Sequence, residues 1–392
     1  MTDFIDEIYT DKDLSLLKKL TLIIPTYDRN FYLSRCLWYH AHFPFAEIIV
    51  ADSSSKIKKT VNQETIQKIR DKYDTKIRYL EYEPESEKYG GDIYRKWGDA
   101  VQHVDTEYSQ ICADKEFLIP TTQCACIEFL DINTDYSIAE GMDYHIQSYL
   151  NDNMNFYPWQ GESSFDMSDP LERIQACFVN SKIVGTLFSV QRAILQKKIY
   201  ANLLKYNIWD IRFGEISLEY QPLVLGKMKK FSDYPANCRD CTHTYKYSSI
   251  KTITNKSDSS FVRYPLLIDY PQKIYESLYN QMELCFKNLL QEHVSIPNSN
   301  YENTFYSILI QLMKKRYFPT SPLMKKSKIF RRYYAMLPIN LKNMLSKKMG
   351  YGNVIETPVQ MTEVLACISS IITITDISYD TDTPTKLISV ID

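Results

Sequence analysis

Leu20-Thr21-Leu22-Ile23-Ile24-Pro25-Thr26, followed after an intervening stretch by Glu47-Ile48-Ile49-Val50-Ala51, decides the fold of this 392-residue chain. Both runs are apolar almost throughout and too short for helices, which is how strands buried on both faces read. Between them Leu33, Cys36 and Leu37 recur at helical spacing, so residues 30–43 read as a helix. Two such strands joined through a helix form a β-α-β unit with parallel strands.

The same alternation continues outward. A polar helix is expected around residues 63–73, a strand at 77–82, a helix at 92–103 and a strand at 108–112. This order predicts an α/β fold: one Rossmann-like, mostly parallel sheet flanked by helices. Ligands of such sheets bind beyond the carboxyl ends of the strands. Asp28, Asp52 and Asp114 each follow a strand end, so three separate segments converge on one crevice. Further on, the pattern predicts a helix near 124–130, a strand at 136–140, a loop over 144–169, a strand at 183–190, and helices at 192–206 and 213–228. From about residue 260 the signal becomes helical, which suggests a catalytic domain over 1–262 and a mainly helical C-terminal region over 263–392.

Lysine and arginine (46) nearly balance aspartate and glutamate (48), so no global field marks a nucleic-acid binder. Only 10 glycines argue against a Gly-rich phosphate loop, while 31 tyrosines supply flat amphipathic rings suited to stacking on sugars or bases. Nine cysteines without a disulfide-like framework fit a reducing compartment. The acidic start, without a secretion signal, and the lack of an apolar run of about 20 residues lead to an expectation of a cytoplasmic protein. The stretch 325–348 is basic and interleaved with Ile, Phe, Tyr, Met and Leu. It suits either a peripheral contact with anionic lipid at the inner face of a membrane or a solvated helix face.

Asp114-Lys115-Glu116 lies directly after the strand at 108–112. Carboxylates spaced in this way can share a divalent cation, and the cation can hold a diphosphate. The stretch from Leu22 through Pro25-Thr26-Tyr27-Asp28-Arg29 to Ala51-Asp52-Ser53, joined to the stretch from Lys96 to Pro120, resembles the family 2 glycosyltransferases, which have the A-type fold. The resemblance implies a nucleotide-sugar donor site. Thr26, Tyr27, Arg29 and Asp52 match the turn and aspartate that hold the base and ribose. Lys96 and Asp114 join them on the donor side. It also implies Mn or Mg on Asp114 and Glu116. This chain departs from the usual Asp-x-Asp by its glutamate, whose extra methylene moves the carboxylate.

An inverting transferase needs a general base at the acceptor. The stretch from Asp210 to Glu215 resembles the family's acidic element, with Glu215 the first candidate and Asp210 the second. Acids at a helix start also serve simply to offset the dipole. Cys238-x-x-Cys241 near His243 is a weak zinc signal without a partner pair. The resemblance instead suggests His243 as a ligand of the metal or diphosphate. The expected activity is sugar transfer from a nucleotide-sugar to a saccharide or lipid-linked acceptor in surface polysaccharide synthesis. A sugar nucleotidyltransferase and a catalytically silent sugar-binding or scaffold module are the alternatives.

Overall fold

A computed structural model describes residues 9–84, 91–148, 154–158, 163–180, 186–208, 210–240, 272–293, 303–304 and 306–307. His243, Cys241 and the basic stretch 325–348 lie outside the described residues.

The elements run α1 (Asp11–Leu17), β1 (Leu20–Thr26), α2 (Asn30–His40), β2 (Glu47–Asp52), α3 (Lys56–Lys72), β3 (Ile77–Glu81), α4 (Gly91–Gln102), β4 (Tyr108–Ile111), β5 (Glu116–Leu118), α5 (Pro120–Ile132), β6 (Tyr136–Ser148), β7 (Met154–Pro158), α6 (Pro170–Asn180), β8 (Val190–Arg192), α7 (Ala193–Lys205), α8 (Ile211–Leu225), β9 (Lys227–Asp240) and α9 (Gln272–His293). The strands form one nine-stranded sheet ordered β3-β2-β1-β4-β8-β6-β9-β5, with β7 added to β6. Helices cover both faces, and the sheet divides the core in two.

Every residue of β1 and β2 is buried, as their unbroken apolar runs require. Leu22 and Ile24 point into one core cluster and Ile23 into the other, the period-two alternation of a strand covered on both sides. Each fully buried aliphatic side chain here contributes roughly 1.5–3 kcal/mol. Pairing is parallel through β3, β2, β1 and β4, then antiparallel at β8. Beyond β8 the sheet is mixed: β6 is antiparallel to β8 and β7 but parallel to β9, and β5 is antiparallel to β9.

Three local expectations are corrected. Much of the expected loop at 144–169 is strand, since β6 continues to Ser148 and β7 pairs back on it. The strand expected at 183–190 falls at Val190–Arg192, preceded by a 3₁₀ turn over Thr186–Phe188. The helix expected to reach residue 228 stops at Leu225, and the chain re-enters the sheet as β9. These strands carry polar residues within the sheet, such as Glu140 opposite Lys230 and Gln191 opposite Ser109, so local hydropathy does not show them.

α9 buries Leu278, Met282, Cys285, Phe286 and Leu289 in the same cluster as Leu203 of α7 and Phe213 of α8. The described part of the C-terminal region therefore shares a core with the α/β sheet.

Candidate functional site

β1 carries β2 on one side and β4 on the other. The chain runs outward from β1 through β2 and β3, then returns to lay β4 along the opposite edge of β1. The carboxyl ends of β1 and β4 thus border the point where strand order reverses, the usual ligand crevice of an open α/β sheet.

Side chains from both strand ends meet there. Thr26, the last residue of β1, donates its hydroxyl to Asp114 Oδ2 at 3.0 Å. Arg29, at the start of α2, places Nη1 2.9 Å from Asp114 Oδ1 and its guanidinium over the ring of Tyr32. Lys96, projecting from α4, donates to the Thr26 carbonyl at 3.0 Å and to Ser53 Oγ at 2.7 Å. Burial pushes the Asp114 carboxyl above its ordinary value, and Arg29, Thr26, Lys115 and Lys96 oppose the rise.

The loops beneath are fixed by acids that do not reach the crevice. Asp28 has a left-handed φ of 51°, a conformation that a short polar side chain tolerates. Its Oδ1 accepts from both the backbone N–H and the hydroxyl of Ser55, tying the β1–α2 turn to the β2–α3 turn. Asp52 is fully buried. It accepts from Ser54 N–H, Asn62 Nδ2 and the Tyr79 hydroxyl, each at 2.7 Å. Rather than presenting an oxygen to a ribose or base, Asp52 sets the end of β2. Tyr27 is half-buried in the turn that precedes Asp28.

Glu116 turns away from Asp114. It is fully buried in β5, where Oε1 accepts from the Arg239 guanidinium and Oε2 from Asn237 Nδ2 at 3.0 Å and Ala113 N–H at 3.3 Å. Burial alone would raise this carboxyl, but Arg239, Asn237 and the Ala113 N–H outweigh it and hold the group below its ordinary value.

The two acids of the Asp114-x-Glu116 motif therefore face different partners, Asp114 toward β1 and Glu116 toward β9. A divalent ion shared between them would have to replace a guanidinium on each carboxylate, so this donor set does not fit the expected Mn or Mg site. Among the described residues, one group of metal-ligand types comes together: the buried Cys36, His40 and Cys112. There His40 Nδ1 donates to the Cys36 carbonyl at 2.7 Å and Nε2 accepts from Leu118 N–H at 3.2 Å. Both ring nitrogens are committed to backbone, and the group anchors α2 to β5.

Asp210 and Glu215 belong to the start of α8. Asp210 is a buried N-cap, its Oδ1 accepting from Phe213 N–H at 3.1 Å, whereas Glu215 is exposed. Gly214 packs against the ring of Tyr94 on α4. Through Tyr94 and Lys96, α4 touches both the start of α8 and the end of β1.

Sequence reasoning missed β9 as a wall of this region. Asn237 and Arg239 alternate with the buried Ala236 and Cys238, a short period-two signal masked by the Cys-x-x-Cys spacing. It also missed Asp143. Two register shifts in β6, at Gly141/Met142 and Met142/Asp143, place Asp143 opposite Asn237. Its carboxyl is pushed up to about 8 by burial and by Glu140, with Lys230 and Arg239 opposing. Glu140 is itself paired with Lys230 and accepts from Ser189 Oγ.

No family model matches the chain, and no curated protein matches it. Among solved structures it is similar to TarS from S. aureus. TarS 1–349 in complex with UDP-GlcNAc is 13% identical, with 76% of this chain and 73% of that chain covered and a TM-score of 0.47. TarS 1–349 alone is 14% identical, with coverage of 76% and 91% and a TM-score of 0.41. The complex of TarS 1–349 with UDP is 13% identical, with the same coverage and a TM-score of 0.38.

Proposed function

We propose that the chain is a glycosyltransferase that moves a sugar from a nucleotide-diphosphate donor to a saccharide or lipid-linked acceptor. One observation carries this reading: Thr26, Arg29, Lys96 and Asp114 meet where the carboxyl ends of β1 and β4 border the reversal of strand order. That crevice suits a nucleotide, and its cations suit a diphosphate.

The reaction is direct displacement with inversion. The bond from the anomeric carbon to the phosphate oxygen breaks, a bond to the acceptor oxygen forms, and the nucleoside diphosphate leaves. Lys96 and Arg29 bind and orient the diphosphate and stabilise the charge that develops on it. Glu215 takes the acceptor proton, with Asp210 as the second candidate because its carboxylate already caps α8. Surface polysaccharide assembly on the inner face of a membrane is the proposed setting. No helix among the described residues is long and apolar enough to cross one.

The test is thermal stabilisation by uridine, guanosine, cytidine and thymidine diphosphates and their sugars, UDP-GlcNAc included, followed by transfer assays on the donors that bind. We expect one nucleotide to stabilise the chain and Lys96→Ala to abolish the effect. Absence of stabilisation by the whole panel, with and without Mn²⁺, would overturn the reading.

A further inference from the structure

Resting on the nucleotide-sugar reading, we infer that the donor diphosphate is held by the chain's own cations, Arg29 with Lys96 and Lys115, in the place that a divalent metal takes between two carboxylates. A metal site of that kind begins with an uncompensated charge near −2 and becomes neutral on taking up the ion. Here both carboxylates are already matched: Arg29 stands against Asp114 and Arg239 against Glu116, and Lys96 and Lys115 also favour the ionised form of Asp114.

The geometry fits the charge. Asp114 Oδ1 faces Arg29 at 2.9 Å and Oδ2 faces Thr26 at 3.0 Å, which leaves a metal to compete with a guanidinium and a hydroxyl at once. Glu116, the second ligand such a site would need, is sealed beneath Arg239 and Asn237. An incoming Mn²⁺ would have to displace a guanidinium from each of two occupied carboxylates, whereas a diphosphate needs only Arg29 to turn from Asp114. The Arg29 side chain is 38% exposed, enough to turn from Asp114 to a phosphate oxygen. Its planar fork suits bidentate phosphate binding. In this arrangement Asp114 acts as the positioning residue that holds Arg29 ready. Lys115, which interrupts the acidic motif, supplies charge in place of a metal ligand.

The test measures two bindings on the full chain: Mn²⁺ by electron paramagnetic resonance titration, and the stabilising nucleoside diphosphate by calorimetry in chelator and again in excess Mn²⁺. The wild type should bind the diphosphate with affinities that agree within about twofold in the two buffers, and should show no Asp114-dependent Mn²⁺ site. Arg29→Ala should weaken diphosphate binding in chelator by ~10-fold or more, the size expected for one charge-assisted contact. Added Mn²⁺ should restore part of it, because Asp114 is then released. Arg29→Lys, which keeps the charge, should bind between the two, and Lys115→Gln should weaken binding without Mn²⁺ rescue. Diphosphate binding that requires Mn²⁺ in the wild type, or Mn²⁺ uptake abolished by Asp114→Asn, would overturn the inference and leave the transferase reading standing. A chain that binds no diphosphate in either buffer would remove both.

Discussion

Single carboxylates in this protein have opposite effects on its stability. The folded Glu116 carboxyl titrates below its unfolded value near 4.5, so its stabilisation is present above that pH and disappears as pH falls through the folded value. Asp143 runs the other way: its folded value of about 8 exceeds its unfolded value near 3.8, so ionising it withdraws stability as pH rises from about 4 to 8. Asp143→Asn should therefore leave the melting temperature unchanged near pH 4 and raise it progressively toward pH 8. The gain should be on the order of 1–3 kcal/mol, less than full linkage because the residue is partly exposed. Thermal melts of both proteins across that range check it, and a constant offset at every pH would show that charge is not the cause. Asp52→Ala should cost about 2–4 kcal/mol, since Asn62 and Tyr79 lose a buried acceptor. Urea denaturation measures that loss. The presence of acids at strand ends was legible in the sequence, but their partners were not. Asp52 meets Tyr79 from β3, and Glu116 meets Arg239 from β9, through pairings that no local pattern encodes.

At the start of α8 the two candidate bases separate by role. Asp210→Ala should cost about 1 kcal/mol as a lost N-cap, whereas Glu215→Gln, on an exposed position, should change stability by less than about 0.5 kcal/mol. If Glu215 takes the acceptor proton, Glu215→Gln should also lower kcat by ~100-fold or more with little change in donor affinity. Parallel melts and initial rates distinguish the two. The packing of α8 on α4 is equally specific. A Cβ at Gly214 would lie 2.0 Å from the Tyr94 ring, so Gly214→Ala should force the helices apart at a cost of about 1–3 kcal/mol. Tyr94→Leu in the same chain should recover part of it, a coupling that a double-mutant cycle would reveal. Helix α8 could be read from its sequence. The glycine's partner could not, because a close approach leaves no mark on either segment alone.

Over the whole molecule, α9 and the sheet share one core. Phe286→Ala should therefore cost about 3–5 kcal/mol and lower the unfolding midpoint of the sheet along with that of the helix. Fluorescence and far-ultraviolet circular dichroism should report a single transition, and separate transitions would mean that α9 folds as an independent unit. The electrostatics of the crevice are also a property of the assembled chain. The full sequence carries a formal charge of −2, yet Arg29, Lys96 and Lys115 gather around Asp114 in the crevice. Diphosphate affinity should fall several-fold between 0.05 and 0.5 M salt, and calorimetry at the two ionic strengths measures it.

The sequence by itself determined the parallel core and the ends of its strands, because burial on both faces demands unbroken apolar runs that are visible residue by residue. Thr26, Arg29, Lys96 and Asp114 were named through the family resemblance that their segments carry. Only the tertiary structure decided which groups they face. Partners 88 to 123 residues apart meet each acid: Thr26 reaches Asp114, and Arg239 reaches Glu116. The same Asp-x-Glu spacing that reads as a metal site in one dimension becomes, once β9 and α2 close on it, a pair of carboxylates already matched by guanidinium groups.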